Sequence, residues 1–265
     1  MGKIKKDLQH LGRSKSVVNL KCYLSCCICG IILFYIFNSV CLADQSPINR
    51  NKFQSAKPIW PENRERDMNL FVGFRAIFDK PETQKVFLKI AGSSLYRIYL
   101  NGEFIGHGPA RAAHGYYRLG VWELEEDKLK KKNVLAVEVA GYNVNSFYLL
   151  DQPAFLQAEI VSQGNVLAST AGKGSSFDAS ILKHRIQKVQ RYSFQRPFIE
   201  YYRLAKNFDK WHRDVDAAFT KTKCKIQPDK KILPYRVAYP DFQLVHPKTF
   251  VSEGTIKHIE RIDNF

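Results

Sequence analysis

The stretch LYRIYLNGEFIGHG, residues 95–108, decides the fold class of this chain. Tyr96, Ile98 and Leu100 alternate with more polar positions, which is the period of a strand that buries one face. Asn101-Gly102 follows, and both residues accept the positive φ values that a two-residue type I′ turn requires. The stretch therefore predicts an antiparallel β-hairpin.

The same alternation recurs on both sides of this hairpin. The further alternating runs cover residues 70–78, 86–90, 135–139, 155–161 and 166–169. Gly, Pro and Asn separate these runs, and only short helices are expected, at 125–132 and 209–219. Many short strands with such punctuation are typical of a sandwich or barrel, so the chain is predicted to be all-β, with an antiparallel β-sandwich.

The charge of the chain points to anionic partners. It has 265 residues, 45% of them hydrophobic, with 41 basic and 25 acidic side chains and a net charge of +16. This composition excludes simple disorder. Residues 178–236 are basic with interleaved aromatics, a pattern that in a cytosolic protein would favour single-stranded nucleic acid. An export signal in residues 1–43 argues against nucleic acid, so the segment is interpreted as a solvated face and a basic linker, with anionic glycan or a membrane surface as alternatives.

The first 43 residues predict an export signal. Basic residues dominate 1–21, an apolar run covers 22–37, and Cys41-Leu42-Ala43 fits a signal-peptidase site. The expected mature protein is periplasmic or extracellular, and the alternative is a membrane anchor formed by residues 22–43. Cys224 alone would remain after cleavage, so no internal disulfide is expected.

Motifs for catalysis, metals and cofactors are missing from this sequence. His107 and His114 have the wrong spacing for a zinc site, and residues 171–176 lack the glycine that a phosphate loop needs. Two acidic clusters, Glu62/Glu65/Asp67 and 123–127, offer paired carboxylates for glycoside hydrolysis, although such clusters are usually solvated. We therefore expect no catalytic residue, no metal and no cofactor.

One ordered series of motifs resembles the jelly-roll region near the N-terminus of bacterial α-L-rhamnosidases, glycoside hydrolase family 78. The matching elements are Tyr96-x-x-Tyr99-Leu100-Asn101-Gly102, Gly106-x-Gly108-Pro109, the strand 133–139, Phe71-Val72-Gly73-Phe74-Arg75, residues 141–147, Gln195-Arg196-Pro197-Phe198-x-Glu200, and Pro234-Tyr235-Arg236 before Tyr239-Pro240-Asp241-Phe242. The resemblance implies a jelly-roll, galactose-binding-like sandwich. Taken together with the export signal and the polar and basic segments, it predicts the division 1–43 signal peptide, 44–59 linker, 60–208 sandwich, 209–240 basic linker and 241–265 start of a second β-module.

The family's reaction is inverting hydrolysis of terminal α-L-rhamnosides by two carboxylates in a helical toroid. Such a ring of helices needs about 200 residues, and the strands already occupy most of the chain. The resemblance therefore implies a truncated, non-catalytic module. The alternatives are an active rhamnosidase that uses Glu62, Glu65, Asp67 or residues 123–127, and a binding protein for anionic glycan.

The resemblance and the loop chemistry together indicate where a sugar would bind. The candidate carbohydrate-binding residues are His107, Arg111, His114, Tyr116, Tyr142, Asn143 and Asn145. In the alternative interpretation, Tyr116 begins the next strand, Arg111 pairs with a carboxylate and the asparagines satisfy turn backbone. The expected partners are a plant or bacterial glycan that contains rhamnose and a separate catalytic chain. Nucleic acid is not expected, nor is a membrane unless the signal segment is retained.

Overall fold

The computed structural model of the protein describes residues 51–82, 85–243 and 245–254. Over these residues the chain forms thirteen strands, two short 3₁₀ helices and no α-helix. The strands are β1 (Ile59–Pro61), β2 (Leu70–Asp79), β3 (Val86–Ser93), β4 (Leu95–Leu100), β5 (Glu103–Gly108), β6 (Tyr116–Leu124), β7 (Lys132–Gly141), β8 (Phe155–Ser162), β9 (Asn165–Ser169), β10 (Ser175–Ser176), β11 (Asp178–Ile181), β12 (Cys224–Ile226) and β13 (Lys231–Pro234). The 3₁₀ helices are Glu126–Lys128 and Lys210–His212.

Two sheets pack face to face, which confirms the predicted β-sandwich. The smaller sheet has the strand order β11-β2-β7-β4-β5. The larger sheet has the order β10-β9-β8-β3-β6-β13, and β1 joins it between β8 and β12. Most neighbours are antiparallel, as predicted, but β10 runs parallel to β9 and β13 runs parallel to β6.

Strand alternation determines which side chains form the core between the sheets. In β2, Val72, Phe74 and Ala76 are fully buried and point inward, while Gly73 and Arg75 lie on the other face. The inward side chains of β3, β4, β7 and β8 belong to the same cluster. A strand presents alternate residues to alternate faces, so this arrangement follows directly from the predicted period.

The hairpin between β4 and β5 turns where the sequence predicts it. Asn101 and Gly102 have φ values of 53° and 92°. The Asn101 side chain also connects the turn to the rest of the sheet, because its Nδ2 donates to the carbonyl of Lys128 and its Oδ1 accepts from the amide of Val134. The turn is therefore fixed by both its backbone conformation and its side-chain hydrogen bonds.

The outer face of the smaller sheet is covered by the chain's own segment 182–219. Trp211 is buried there, against a second apolar cluster that includes Phe71 and Leu182. Gly73 makes this possible, since a Cβ at position 73 would lie 2.8 Å from Cη2 of Trp211 and 2.9 Å from Cδ2 of Leu182. The indole thus lies directly on the backbone of β2.

The structure differs from the expectation that residues 209–240 form a basic linker. This stretch contributes the buried Trp211, the strand β12, which pairs with β1, and the strand β13, which pairs with β6. Lys225 and Lys231 are exposed, while Trp211, Cys224 and Ile232 pack against the apolar clusters of the sandwich. Charge alone could not separate such an edge strand from a solvated connector.

The segment that precedes β1 lies on the outer face of the larger sheet. The carboxylate of Glu159 in β8 accepts hydrogen bonds from the backbone amides of Gln54, Ser55 and Ala56, at 2.8, 3.0 and 3.1 Å. Lys89 Nζ in β3 donates to the carbonyl of Lys52 at 2.8 Å. The second half of the expected linker, residues 44–59, is therefore held against the sheet.

Two predictions fall at the ends of the chain. The predicted signal peptide, residues 1–43, lies outside the described residues. Of the predicted second β-module, residues 241–243 and 245–254 are described and form no strand, and the module stays a prediction. None of the helices among the described residues has the length and apolarity to cross a bilayer.

Candidate functional site

A row of polar side chains crosses the outer face of the smaller sheet. Arg97 in β4 lies opposite His107 in β5 and opposite Glu138 in β7. Directly opposed residues on one face of a sheet are close enough for their side chains to interact. The register therefore brings a guanidinium, an imidazole and a carboxylate onto one stripe.

Arg185 extends this stripe into the segment that covers the sheet. Its Nε donates to Glu138 at 2.8 Å and its Nη1 donates to Glu200 at 2.9 Å. Its guanidinium lies between two aromatic rings, 4.1 Å from the ring centre of Phe71 and 4.2 Å from that of Tyr202. The Tyr202 hydroxyl in turn donates to Glu200. Arg185 is thus a buried cation whose position is fixed from both sides.

These residues line a cleft of about 240 Å³, here called the outer cleft. Its lining residues are Phe71, Leu95, Tyr96, Arg97, His107, Gly108, Glu138, Ala140, Tyr142, Arg185 and Glu200. Its lining combines the buried rings of Phe71, Tyr96 and Tyr142 with charged side chains. A ligand in it would meet both hydrogen-bond donors and acceptors beside an aromatic surface, as in a pocket for a small polar molecule.

Two of the predicted site residues, His107 and Tyr142, line the outer cleft. His107 is exposed, and its ring centre lies 4.9 Å from that of Phe242. Tyr142 is buried and packs edge-on against Phe71, with ring centres 5.9 Å apart. Burial raises the pKa of the Tyr142 hydroxyl, so this group stays protonated at neutral pH and can donate a hydrogen bond.

Three other predicted residues lie outside the lining of the outer cleft, on or before β6. Arg111 and His114 are exposed in the loop before β6, and the Arg111 carbonyl accepts a hydrogen bond from Arg118. Tyr116 begins β6, where the Nζ of Lys231 lies 5.3 Å from its ring centre. A role for these three in sugar binding stays a prediction.

The two predicted asparagines bind neighbouring loops. Asn143 is buried and its Nδ2 donates to the carbonyls of Glu65 and Asp67, at 3.1 and 2.9 Å. Asn145 accepts a hydrogen bond from the amide of Asp151 through its Oδ1, at 2.9 Å. These contacts match the alternative interpretation, in which asparagine side chains satisfy turn backbone.

The acidic clusters that offered paired carboxylates contain surface ion pairs. Lys223 lies 3.0 Å from Glu62, Lys85 lies 2.7 Å from Glu123, and Lys128 lies 3.0 Å from Glu125. Arg64 pairs with Asp67. Over the described part of the chain no group of three or more His, Cys, Asp or Glu side chains is arranged to hold a metal ion.

Four residues of the outer cleft were not singled out from the sequence: Arg97, Glu138, Arg185 and Glu200. The position of Glu138 could have been noticed in the sequence, because it is a single charge within the apolar strand run 134–139. Such a charge has to face a partner or solvent. Glu200 ends one of the motifs quoted for the resemblance, but the motif gives it no role. Arg185 lies in a segment without period, and no local signal separates it from neighbouring charges.

The fold of this chain is similar to part of the solved structures of rhamnosidases. The structure of a GH78 family rhamnosidase from Bacillus sp. GL1 superposes with a TM-score of 0.59 and 24% identity, over 69% of this chain and 20% of that chain. The native α-L-rhamnosidase from Aspergillus terreus gives a TM-score of 0.50 and 16% identity, over 68% of this chain and 22% of that chain. No protein-family model and no curated protein sequence matches the chain.

The expected resemblance to α-L-rhamnosidases is therefore confirmed at the level of the fold. The chain spans about a fifth of the length of the rhamnosidases that it matches.

Proposed function

From the sandwich fold that this chain shares with rhamnosidase structures, we propose that it is an exported, carbohydrate-associated module of an α-L-rhamnosidase-like glycoside hydrolase. The module binds a sugar in the outer cleft and does not cleave it. The single observation that supports this proposal most is the coincidence of that fold with a small cleft in which rings, donors and acceptors meet. The proposed ligand is a rhamnose-containing glycan.

The dimensions of the outer cleft suit one sugar ring. Its volume of about 240 Å³ is below the range of about 300–1,000 Å³ that drug-sized ligands occupy. The apolar face of the sugar would contact the small exposed parts of Phe71 and Tyr142, since Arg185 covers one face of the Phe71 ring. Arg97 would donate to one hydroxyl, and Glu138 would accept from another. Hydroxyl groups need both kinds of partner when they leave water.

The contacts of Arg185 support binding without hydrolysis. A glycosidase needs the scissile bond between two carboxyl groups, with room for a sugar and, in the inverting case, a water. Between Glu138 and Glu200 that space holds the guanidinium of Arg185. The two carboxylates therefore bind a side chain of the protein rather than a glycosidic oxygen.

The proposal is tested by titrating the full chain with L-rhamnose and following binding by calorimetry and by ligand-observed NMR. Arg97→Ala should weaken binding about tenfold or more, because a buried polar ligand loses its donor. Arg66→Ala removes an exposed arginine outside the cleft lining and is the matched control. Saturable binding that both variants retain equally would contradict the assignment of the outer cleft.

Turnover is tested separately with an aryl α-L-rhamnoside. The full chain should release no more aryl alcohol than a blank preparation. Release that Glu138→Gln abolishes would overturn the non-catalytic part of the proposal and favour the alternative, an active rhamnosidase. Release that persists in this variant and is lost in Glu62→Gln or Glu65→Gln would place the chemistry in the N-terminal acidic cluster.

A further inference from the structure

Two neighbouring loops, residues 145–150 and 190–198, form an exposed surface that we call the aromatic knob. Phe147, Tyr192 and Phe194 expose 75%, 76% and 77% of their surface. Rings this exposed are covered by almost nothing of their own chain and project from the sandwich. A cluster of projecting apolar rings is uncommon on a soluble protein and marks a contact surface.

Hydrogen bonds hold the two loops of the aromatic knob together. Arg191 Nη2 donates to the carbonyl of Asn145 at 2.7 Å and to that of Phe194 at 2.6 Å. The amide of Phe147 donates to the carbonyl of Gln195 at 3.2 Å. The two loops are therefore held next to each other, and little loop conformational entropy is lost when this surface binds a partner.

The charge of the aromatic knob has one sign. Neither loop contains an aspartate or a glutamate, and the charged residues of the two loops are Arg191 and Arg196. The Arg196 guanidinium lies 5.8 Å from the ring centre of Tyr148. The whole chain has a net charge of +16. The partner of this surface is therefore anionic.

We propose that the aromatic knob docks on an anionic lipid surface, a contact that goes beyond the proposed sugar binding. Phenylalanine rings have no polar atom to satisfy and gain most where they leave water, as at the acyl boundary of a bilayer, while the exposed Arg196 binds a lipid phosphate. A second copy of the chain would bring like charges together. A glycan would need hydrogen-bond partners for its hydroxyl groups beside the rings, and the side chains of Phe147 and Phe194 offer none.

The test measures contact at the aromatic knob itself. In the Phe194→Trp variant of the full chain, brominated acyl chains in vesicles that contain phosphatidylglycerol should quench the fluorescence of the new tryptophan. This quenching should weaken as the salt concentration rises. Phe250→Trp is the matched control, since Phe250 is 75% exposed outside the aromatic knob. It should not be quenched. The unsubstituted chain, which contains Trp60, Trp122 and Trp211, is measured in parallel and subtracted, so the difference reports on position 194.

A second pair of variants tests the energetics. Phe147→Ser/Phe194→Ser should lower vesicle binding about tenfold or more, because two buried rings are lost. Phe250→Ser/Val251→Ser should leave it unchanged. Absence of quenching in Phe194→Trp, or equal quenching in pure phosphatidylcholine, overturns the proposal. So does a dimer in size-exclusion chromatography, or binding to polygalacturonate, that the Phe147→Ser/Phe194→Ser variant abolishes.

Discussion

Lys89 Nζ lies 3.2 Å from Oε1 of Glu159, and both side chains are completely excluded from solvent. The two residues are directly opposite each other on β3 and β8. Because Glu159 also accepts three backbone amides and Lys89 donates to a carbonyl, this ion pair links the segment before β1 to the larger sheet. Removing one partner of such a buried pair strongly lowers the free energy of unfolding, because the other charge stays buried without its counterion.

Lys89→Met should therefore destabilise the protein by about 3–5 kcal/mol, since it leaves the Glu159 carboxylate buried without its cation. The measurement is the free energy of unfolding in urea, with Lys85→Met as the control. Lys85 lies at the start of the same strand region and pairs with Glu123 at 2.7 Å, but its side chain is 73% exposed. Lys85→Met should therefore lower the free energy of unfolding by only about 0–1 kcal/mol.

Replacing both partners, as in Lys89→Met/Glu159→Met, should not restore stability, because the amides of Gln54, Ser55 and Ala56 would lose their acceptor. Full recovery in the double variant would show that the pair matters only through its mutual charge.

Gly73→Ala should lower the free energy of unfolding by about 1–3 kcal/mol, because its Cβ overlaps the indole of Trp211. Near-ultraviolet circular dichroism should change in the tryptophan region as the ring is displaced. Gly254→Ala is the control, since a Cβ at that position meets nothing within 4 Å. Unchanged stability and an unchanged spectrum in Gly73→Ala would show that Trp211 does not rest on β2.

The stability of the protein should depend on pH through His212. Its ring stacks on Tyr99 with ring centres 4.6 Å apart, its Nδ1 is buried, and burial lowers its pKa, against the opposing effect of Asp209. The unfolded chain binds the proton more readily than the folded chain. The contribution of His212 to the free energy of unfolding is therefore fully present above about pH 6.5 and is lost as the pH drops below that value.

His212→Phe keeps the stacked ring and should flatten the dependence of the urea midpoint on pH between neutral and mildly acidic buffer. His246→Phe changes an exposed histidine and should leave the slope as it is. A slope unaltered by His212→Phe would assign the titration to other groups, of which His184, also lowered in pKa by burial, is the next to test.

Cys224 should resist alkylation in the folded protein. Burial raises the pKa of its thiol to about 12, so the thiolate that reacts is scarce at pH 8. Modification by iodoacetamide should be at least about a hundredfold slower than in urea, as measured by mass spectrometry of the peptide that contains this residue. Equal rates in buffer and urea would show that the β1–β12 edge opens readily.

Local patterns predicted the sandwich because its strands and turns depend on neighbouring residues. The alternation of Val72 and Phe74 determines which face of β2 is buried, whatever strand lies beside it. Asn101 and Gly102 determine the hairpin through their own φ values. These features need no knowledge of the rest of the chain, and the structure contains them where they were expected.

The outer cleft depends on contacts that no local pattern contains. Arg185 reaches Glu138 across 47 residues, and the segment that carries it has neither strand nor helix period. In sequence it resembles Lys188 or Arg191 and differs from them only in what it meets after folding. Tyr142 and His107 were expected at the site because of their chemistry, while their charged neighbours come together only through the register of β4, β5 and β7.

The pairing of β1 with β12 and of β6 with β13 has a consequence for synthesis. During translation, β1 and β6 leave the ribosome long before their partners β12 and β13 are made. Until then, the nascent sandwich has two unpaired edges. Exposed edges recruit other strands, so this interval is when the chain is most prone to aggregate. Chaperone capture during translation would protect it until residue 234 emerges.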